Sequence, residues 1–181
     1  PYESFLFYVG SAYPHKRLDL ILEAWSTLTE RYPYLHLVLG GELDVFMKRH
    51  QQTAAAMNLP RVHFPGRLSD EQLANHYSQA KAFLFPSANE GFGLPPLEAL
   101  GYGCPVVSSN STSLPEVLPK DGVFFFQNGD VNGMIHAIDQ ILEYPSEARE
   151  AVRRSLPDLR QRYNWKKVAE KTLAGYRSIK V

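Results

Sequence analysis

The sequence predicts an α/β fold in which a six-stranded parallel sheet lies between two layers of helices. Two observations carry that expectation. Short apolar runs of strand length alternate with longer stretches whose apolar residues recur at helical spacing, and most of the short runs stop at glycine or proline. A strand followed by a helix and another strand demands a right-handed crossover, and a chain built of such units makes its sheet parallel.

Phe5-Leu6-Phe7-Tyr8-Val9, ending at Gly10, is the first strand, and Leu18, Ile21, Leu22, Trp25 and Leu28 mark the helix after it. Leu35–Leu39, closed by Gly40-Gly41, is the second strand. A helical stretch from Leu43 to Met57 ends before Pro60. Val62-His63-Phe64 precedes Pro65-Gly66-Arg67, and Ser69 to Gln72 has the residues of a capping box, with a hydroxyl at the cap and an amide three residues on. Ala82-Phe83-Leu84-Phe85 reads as the central buried strand and Pro105–Ser108 as the next. Ser113-Leu114-Pro115-Glu116 repeats the capping-box pattern. Gly122–Phe126 is the last strand, with its three phenylalanines assigned to the core. Helices follow over Val131–Tyr144, beyond Pro145, and from Trp165 to Ile179, where Trp165, Val168, Leu173, Tyr176 and Ile179 share one face. Trp25 and Trp165 are both expected in the core, as is His63.

The composition excludes several classes. Nineteen basic residues balance nineteen acidic ones, which offers no electrostatic footprint for nucleic acid. Cys104 is the only cysteine, so no disulfide can form within the chain, and a reducing, cytoplasmic setting is expected. No run is long enough to span a bilayer and no signal peptide is evident. With 181 residues, 44% of them hydrophobic, the chain has enough material for one core. Pro1 stands where a methionine would, and a core strand follows at once, so a domain cut from a longer protein is expected.

A parallel sheet brings the loops after strands one, three, four and five to one edge, where open α/β sheets bind ligands. These loops carry Gly10 to Lys16, Gly66-Arg67, Glu90 to Leu94, and Ser108 to Thr112. The central segment is Glu90-Gly91-Phe92-Gly93-Leu94-Pro95-Pro96-Leu97-Glu98-Ala99. Its glycines permit tight turns, and Pro95 suits the first position of a helix. Glu90 at the loop and Glu98 one turn into that helix can face one crevice, where carboxylates accept paired hydrogen bonds from vicinal hydroxyls. The prolines remove amide donors, so this helix start suits neutral hydroxyls better than phosphate. In the first loop Lys16 is expected to begin the helix, a position that opposes the helix dipole unless an anion is bound.

The run Glu-Gly-Phe-Gly-Leu-Pro-x-Leu-Glu-Ala closely resembles the donor-site segment of retaining glycosyltransferases with the two-domain GT-B architecture, family 4, glycosyl transferases group 1. The resemblance extends over nearly the whole chain and is nearest to bacterial polysaccharide mannosyltransferases. It implies a Rossmann-like three-layer α/β/α sandwich, one half of a GT-B fold. Residues 1-181 would be a single nucleotide-sugar-binding domain, with an N-terminal acceptor domain absent from the chain. By the resemblance, Glu98 would bind the ribose hydroxyls and Glu90 the transferred sugar. Gly91, Phe92, Gly93 and Leu94 would line that sugar, and the backbone at Arg67 would border the base. Lys16, with Gly10 and Ser11, would hold the diphosphate. Lys16 and Glu90 are thus the catalytic candidates. The family commonly has an arginine where this chain has Ser11, so Arg17 or His15 would have to reach in, or Lys16 would act with backbone amides.

The resemblance further implies a nucleoside-diphosphate sugar as donor, with guanosine diphosphate and mannose as the first choice, and a glycan or lipid-linked sugar as acceptor. No separate cofactor is expected. No Asp-x-Asp pair is present, so metal independence is expected too. Membrane contact, if any, would come through the missing domain, as would most acceptor recognition, and the closing helix would cross to it. The serine-rich loop at 108–112 reads first as turn chemistry that satisfies nearby backbone. A dinucleotide oxidoreductase would need Gly-x-Gly-x-x-Gly after the first strand, which Gly10-Ser11-Ala12-Tyr13-Pro14-His15 lacks. A nucleotide-sugar epimerase domain and a non-catalytic nucleotide-binding module are the alternative readings.

Overall fold

The computed structural model describes residues 3–179. Strands β1 (Phe5–Val9), β2 (His36–Gly40), β3 (Val62–Gly66), β4 (Ala82–Phe85), β5 (Val106–Ser109) and β6 (Val123–Phe126) form one all-parallel sheet in the order β3-β2-β1-β4-β5-β6. Among the described residues the helices are α1 (Leu18–Arg31), α2 (Val45–Ala56), α3 (Asp70–Gln79), α4 (Leu94–Gly101), α5 (Leu114–Val117), α6 (Val131–Glu143), α7 (Pro145–Arg162) and α8 (Trp165–Ser178). The expected six-stranded, three-layer Rossmann-like architecture is what the chain adopts.

Side chains alternate across each strand, and the sheet is covered on both faces. Leu6 and Tyr8 of β1 join Leu37, Leu39 and Leu84 in a core closed by α1 and α6. Phe5 and Phe7 join Val38, Phe83 and Phe85 in a second core closed by α3, α4, α5 and α7. The inner strands β1, β2, β4 and β5 are therefore buried on both sides, while β3 and β6 at the sheet edges are only partly covered. Trp25, 1% exposed, anchors the first core and donates its indole N–H to Pro60 O at 2.9 Å. Burying a side chain of that size contributes about 2–3 kcal/mol.

The strand order decides where a site can form. The chain works outward from β1 to β3, then returns to place β4 on the other side of β1. The segment after β1 leads to α1 over one core, and the segment after β4 leads to α4 over the other. Their divergence opens a crevice at the carboxyl ends of β1 and β4.

Several local expectations are corrected. Helix α2 starts at Val45 rather than Leu43, because the Asp44 carboxylate caps it by accepting from the amides of Phe46 and Met47. The Ser69–Gln72 capping box forms, with both reciprocal bonds present. The one expected at Ser113 does not: Ser113 already has helical backbone angles and makes no capping bond. Trp165 is 86% exposed and α8 buries no residue, so its apolar face is real but uncovered. Of the three phenylalanines in β6 only Phe126 is fully buried. His63 is half-buried on an outer strand, with its Nε2 2.9 Å from His36 Nδ1.

The carboxyl ends of β1, β2 and β3 are drawn together at glycines. Gly10 N donates to Gly40 O at 3.2 Å and Gly41 N to Gly66 O at 3.0 Å. Gly41 has φ +145°, and a Cβ there would lie 2.1 Å from Gly10 O. Gly41→Ala should therefore lower stability by about 2 kcal/mol or more. Gly101→Ala, whose Cβ would meet nothing within 4 Å, should leave it nearly unchanged. Urea unfolding of the two variants checks this, and equal midpoints would contradict the packing described.

Candidate functional site

The loop after β1 is shaped by a buried phenol. Tyr8 lies within the first core and donates its hydroxyl to Ser11 O at 2.6 Å. Burial, with the Glu90 charge as the second cause, pushes its pKa well above the ordinary phenol value, so it stays protonated and remains a donor. The chain then makes a short 3-10 turn over Pro14–Lys16, and Arg17 takes a left-handed conformation at φ 54° before α1 begins at Leu18. Lys16 was expected to open the helix. It lies just outside it, which places its charge at the crevice without inserting it into the first turn.

Neither neighbour stands in for the arginine that Ser11 replaces. The Arg17 guanidinium is engaged by the Asp19 carboxylate, with contacts of 2.9–3.1 Å. The His15 ring is exposed and stacks on Tyr13. Nor can the Gly10 amide serve a ligand, since Gly40 O already accepts from it. Lys16 is the one side-chain cation this loop delivers.

The loop after β4 offers a different set of groups. Gly93 is the cap of α4 at φ +88°, and a Cβ there would press to 2.7 Å from Leu114 Cδ2. Leu94 is the first helical residue and Pro95 the second, one place later than expected. Among the described residues, Phe92, Gly93 and Leu94 donate their amides to no backbone or side-chain group. Three N–H groups are thus left without an internal partner at a helix start, where negative oxygen is favoured. The Glu90 backbone, by contrast, is pinned. Its amide donates to Thr112 Oγ1 at 3.0 Å, and its carbonyl accepts from Thr112 Oγ1 at 3.1 Å and Ser113 Oγ at 3.0 Å. Thr112 holds φ 46° to do this, an uncommon conformation for a β-branched residue.

The two loops meet. Lys16 Nζ and Glu90 Oε1 are 2.5 Å apart across 74 residues of sequence, with side chains 18% and 12% exposed. The ammonium also lies 5.6 Å from the centre of the Phe85 ring, within cation–π range. Backbone links hold the loops in register: Ala88 N donates to His15 O at 2.7 Å, and Ser87 Oγ to the same oxygen at 3.1 Å. Lys16 and Glu90 were assigned to different parts of one ligand. They are in fact each other's partners.

Glu98 stands exposed on α4, and its Oε2 accepts from the Tyr77 hydroxyl at 3.1 Å. Tyr77 comes from α3, is 1% exposed, and packs against Phe7, Phe83 and Tyr102. Burial, then the Glu98 charge, raises its pKa far above the usual phenol range, which keeps it a hydrogen-bond donor to the carboxylate. Arg67 is exposed just beyond β3, two strands from β1, and is the outlying member of the set. Of the serine-rich segment expected as a loop, Ser108 and Ser109 lie in β5, fully buried, and donate to Ser109 O and Ser87 O. The second bond spans 22 residues and braces the loop after β4, a long-range role that local turn chemistry does not describe.

Sequence reasoning did not single out Tyr77 or Ser113 for the site. Tyr77 carries no local signal, being one aromatic on a helix. Ser113 was read as a cap, because its true partner lies 23 residues away. If Thr112 holds Glu90 in place, Thr112→Val should speed amide hydrogen exchange at Glu90 and cost about 1 kcal/mol of stability. Thr112→Ser should restore both. Unchanged exchange in the valine variant would show that the brace is dispensable.

The family described as glycosyl transferases group 1 matches residues 2–156. The chain is 34% identical over 186 residues to the O-antigen chain mannosyltransferase B of Escherichia coli, an alignment that covers 98% of this chain and 47% of that protein. Sucrose-phosphate synthase from Thermosynechococcus elongatus superposes with a TM-score of 0.85 at 29% identity, over 97% of this chain and 45% of the other. Anabaena HepE, solved with UDP-glucose, gives a TM-score of 0.85 at 18% identity, covering 97% and 49%, a likeness of fold. The chain spans about half or less of the length of the curated relatives it matches. On the family match and the 34% identity together, this chain belongs to the glycosyl transferases group 1 family.

Proposed function

We propose that the chain is the donor-binding half of a retaining glycosyltransferase that moves a hexose from a nucleoside-diphosphate sugar to a glycan or lipid-linked acceptor. The observation that carries this is the meeting of the Lys16 ammonium and the Glu90 carboxylate at the β1–β4 crevice, beside three unpartnered amides. The name of the Escherichia coli relative supports mannose as the sugar.

In this reading the diphosphate lies against Lys16, the ribose against Glu98, and the base runs toward Arg67 at the end of β3. The sugar sits between Glu90, Gly91 and the amides of Phe92, Gly93 and Leu94. Breaking the anomeric C–O bond leaves negative charge on the departing phosphate and positive charge on the sugar ring. A fixed ammonium stabilises the first, and the carboxylate and oriented dipoles stabilise the second. Tyr77 would fix the orientation of the Glu98 carboxylate, leaving Oε1 for the ribose.

Acceptor recognition and most of the turnover would need the rest of the protein. The exposed Trp165, Val168, Leu173 and Tyr176 of α8 with Ile179 just after it and the greater length of the relatives support a second domain packed on that helix. An apolar cavity of about 590 Å³, lined by Leu97, Leu156, Leu159, Tyr163, Trp165 and Val168, lies under the same face.

A thermal-shift panel of uridine, guanosine, adenosine and thymidine diphosphates tests the reading. At least one should raise the melting temperature in a saturable way, and Lys16→Met should weaken that nucleotide by about tenfold or more. Glu98→Ala should remove any preference for the ribonucleotide over its 2′-deoxy form. No shift with any of the four would refute donor binding. Robust sugar transfer by this chain alone to an added acceptor would refute its dependence on a second domain.

A further inference from the structure

Resting on that donor-site reading, we propose that Glu90 and the donor's diphosphate compete for the single Lys16 ammonium, which makes the pair a specificity device that favours nucleotide carrying sugar over nucleotide without it.

Glu90 forms an ion pair with Lys16 and with no other cation among the described residues. Arg17 is committed to Asp19 and Tyr8 OH to Ser11 O. An ammonium has three N–H groups, so geometry alone would let Lys16 touch carboxylate and phosphate together. Charge works against it, because a diphosphate and a carboxylate at contact distance of one cation repel each other in a crevice of low dielectric. The lysine therefore turns to one or the other.

Both side chains are mostly buried, at 18% and 12% exposed. A carboxylate that loses its cation there lacks the full hydration that would replace it. Free nucleoside diphosphate takes the lysine and leaves Glu90 in that condition. A nucleotide sugar takes the lysine but brings hydroxyls that donate to Glu90, so the carboxylate exchanges one partner for another. After transfer the sugar is gone and Glu90 again draws Lys16 back, which favours release of the spent nucleotide. The exchange requires only side-chain rotation. Bonds to His15 O and to Thr112 and Ser113 hold both backbones.

The test is a double-mutant cycle, read by calorimetry with UDP, GDP, UDP-glucose and GDP-mannose, on wild type, Glu90→Gln, Lys16→Met and the double variant. Glutamine keeps the size of Glu90 and removes its charge, and a thermal melt verifies folding. Glu90→Gln is expected to bind the free diphosphate about tenfold tighter while gaining little for the sugar nucleotide, so that the preference between them collapses. In the Lys16→Met background the same change should alter free-diphosphate affinity by less than about twofold. Unchanged or weaker binding of free diphosphate by Glu90→Gln would overturn the proposal. Equal tightening with and without the lysine would overturn it too, since simple repulsion would then suffice. Wild-type affinity for diphosphate in Lys16→Met would instead refute the donor-site role of Lys16. Failure of wild type to bind any of the four, together with no shift from adenosine or thymidine diphosphate in the thermal panel, would refute the donor site itself.

Discussion

One constraint governs the site: β1 and β4 are neighbours in the sheet although 72 residues separate the ends of their loops where Ser87 bonds His15. Only because the chain returns to the inner edge of β1 after building β3 do the two loops share a crevice. Once adjacent, they are tied by backbone and hydroxyl bonds to His15 O, and the Lys16–Glu90 pair closes across them. The sheet supplies the proximity, the loop bonds supply the register, and the two charged side chains are left as the adjustable parts.

The bracing is one-sided. Loops after β5 and β4 are joined through Thr112, Ser113, Ser109 and Ser87, all by hydroxyl groups that reach backbone atoms of Glu90 or Ser87. Hydroxyls suit that role because one group can donate and accept at once, as Thr112 Oγ1 does with both polar atoms of the Glu90 peptide backbone. Past Glu90 the hydroxyl bracing stops, and what remains is packing, with the Phe92 ring edge-on to Tyr163. Phe92 is 41% exposed, and its amide and those of the next two residues have no partner among the described residues. The rigid part of the segment therefore carries the charge, and the part left open carries the donors.

Much of this was legible in the amino-acid sequence, for physical reasons. Strands buried on both faces must be apolar throughout, so the sheet could be read from Phe5–Val9 and Ala82–Phe85 without three-dimensional information. Ser69 and Gln72 formed their box because both partners lie within one helical turn. Reading failed where the deciding partner was distant. Ser113 has the same local pattern, yet the Glu90 carbonyl captured its hydroxyl. Trp165 follows helical periodicity as well as Trp25 does, but periodicity reports that a face is apolar, not that anything covers it. The residues chosen for the site could be placed on one edge of the sheet, whereas the pairing of Lys16 with Glu90 and of Glu98 with Tyr77 depended on side-chain reach that spacing does not encode.

Stability gives little reason for the charges at the crevice. A half-buried ion pair gains from its Coulomb attraction roughly what it loses in hydration, and apolar side chains of similar size often do as well or better. The strained backbone of Thr112 adds a conformational cost of about 1–3 kcal/mol, which its two bonds to Glu90, at about 0.5–1.5 kcal/mol each, do no more than offset. Elsewhere the chain follows the ordinary rules: Asp44, Ser69, Asp130 and Asn164 cap their helices, and Trp25 satisfies its one donor inside the core. Exceptions exist away from the site, in left-handed Asn58 and Arg61 and in Pro157 inside α7. The β1–β4 crevice, however, combines an energetically near-neutral ion pair with the left-handed Thr112 that braces it, and there the sequence answers to a requirement other than folding. A carboxylate kept beside the one ammonium that pairs with it among the described residues meets such a requirement if that ammonium must be given up and recovered in each cycle.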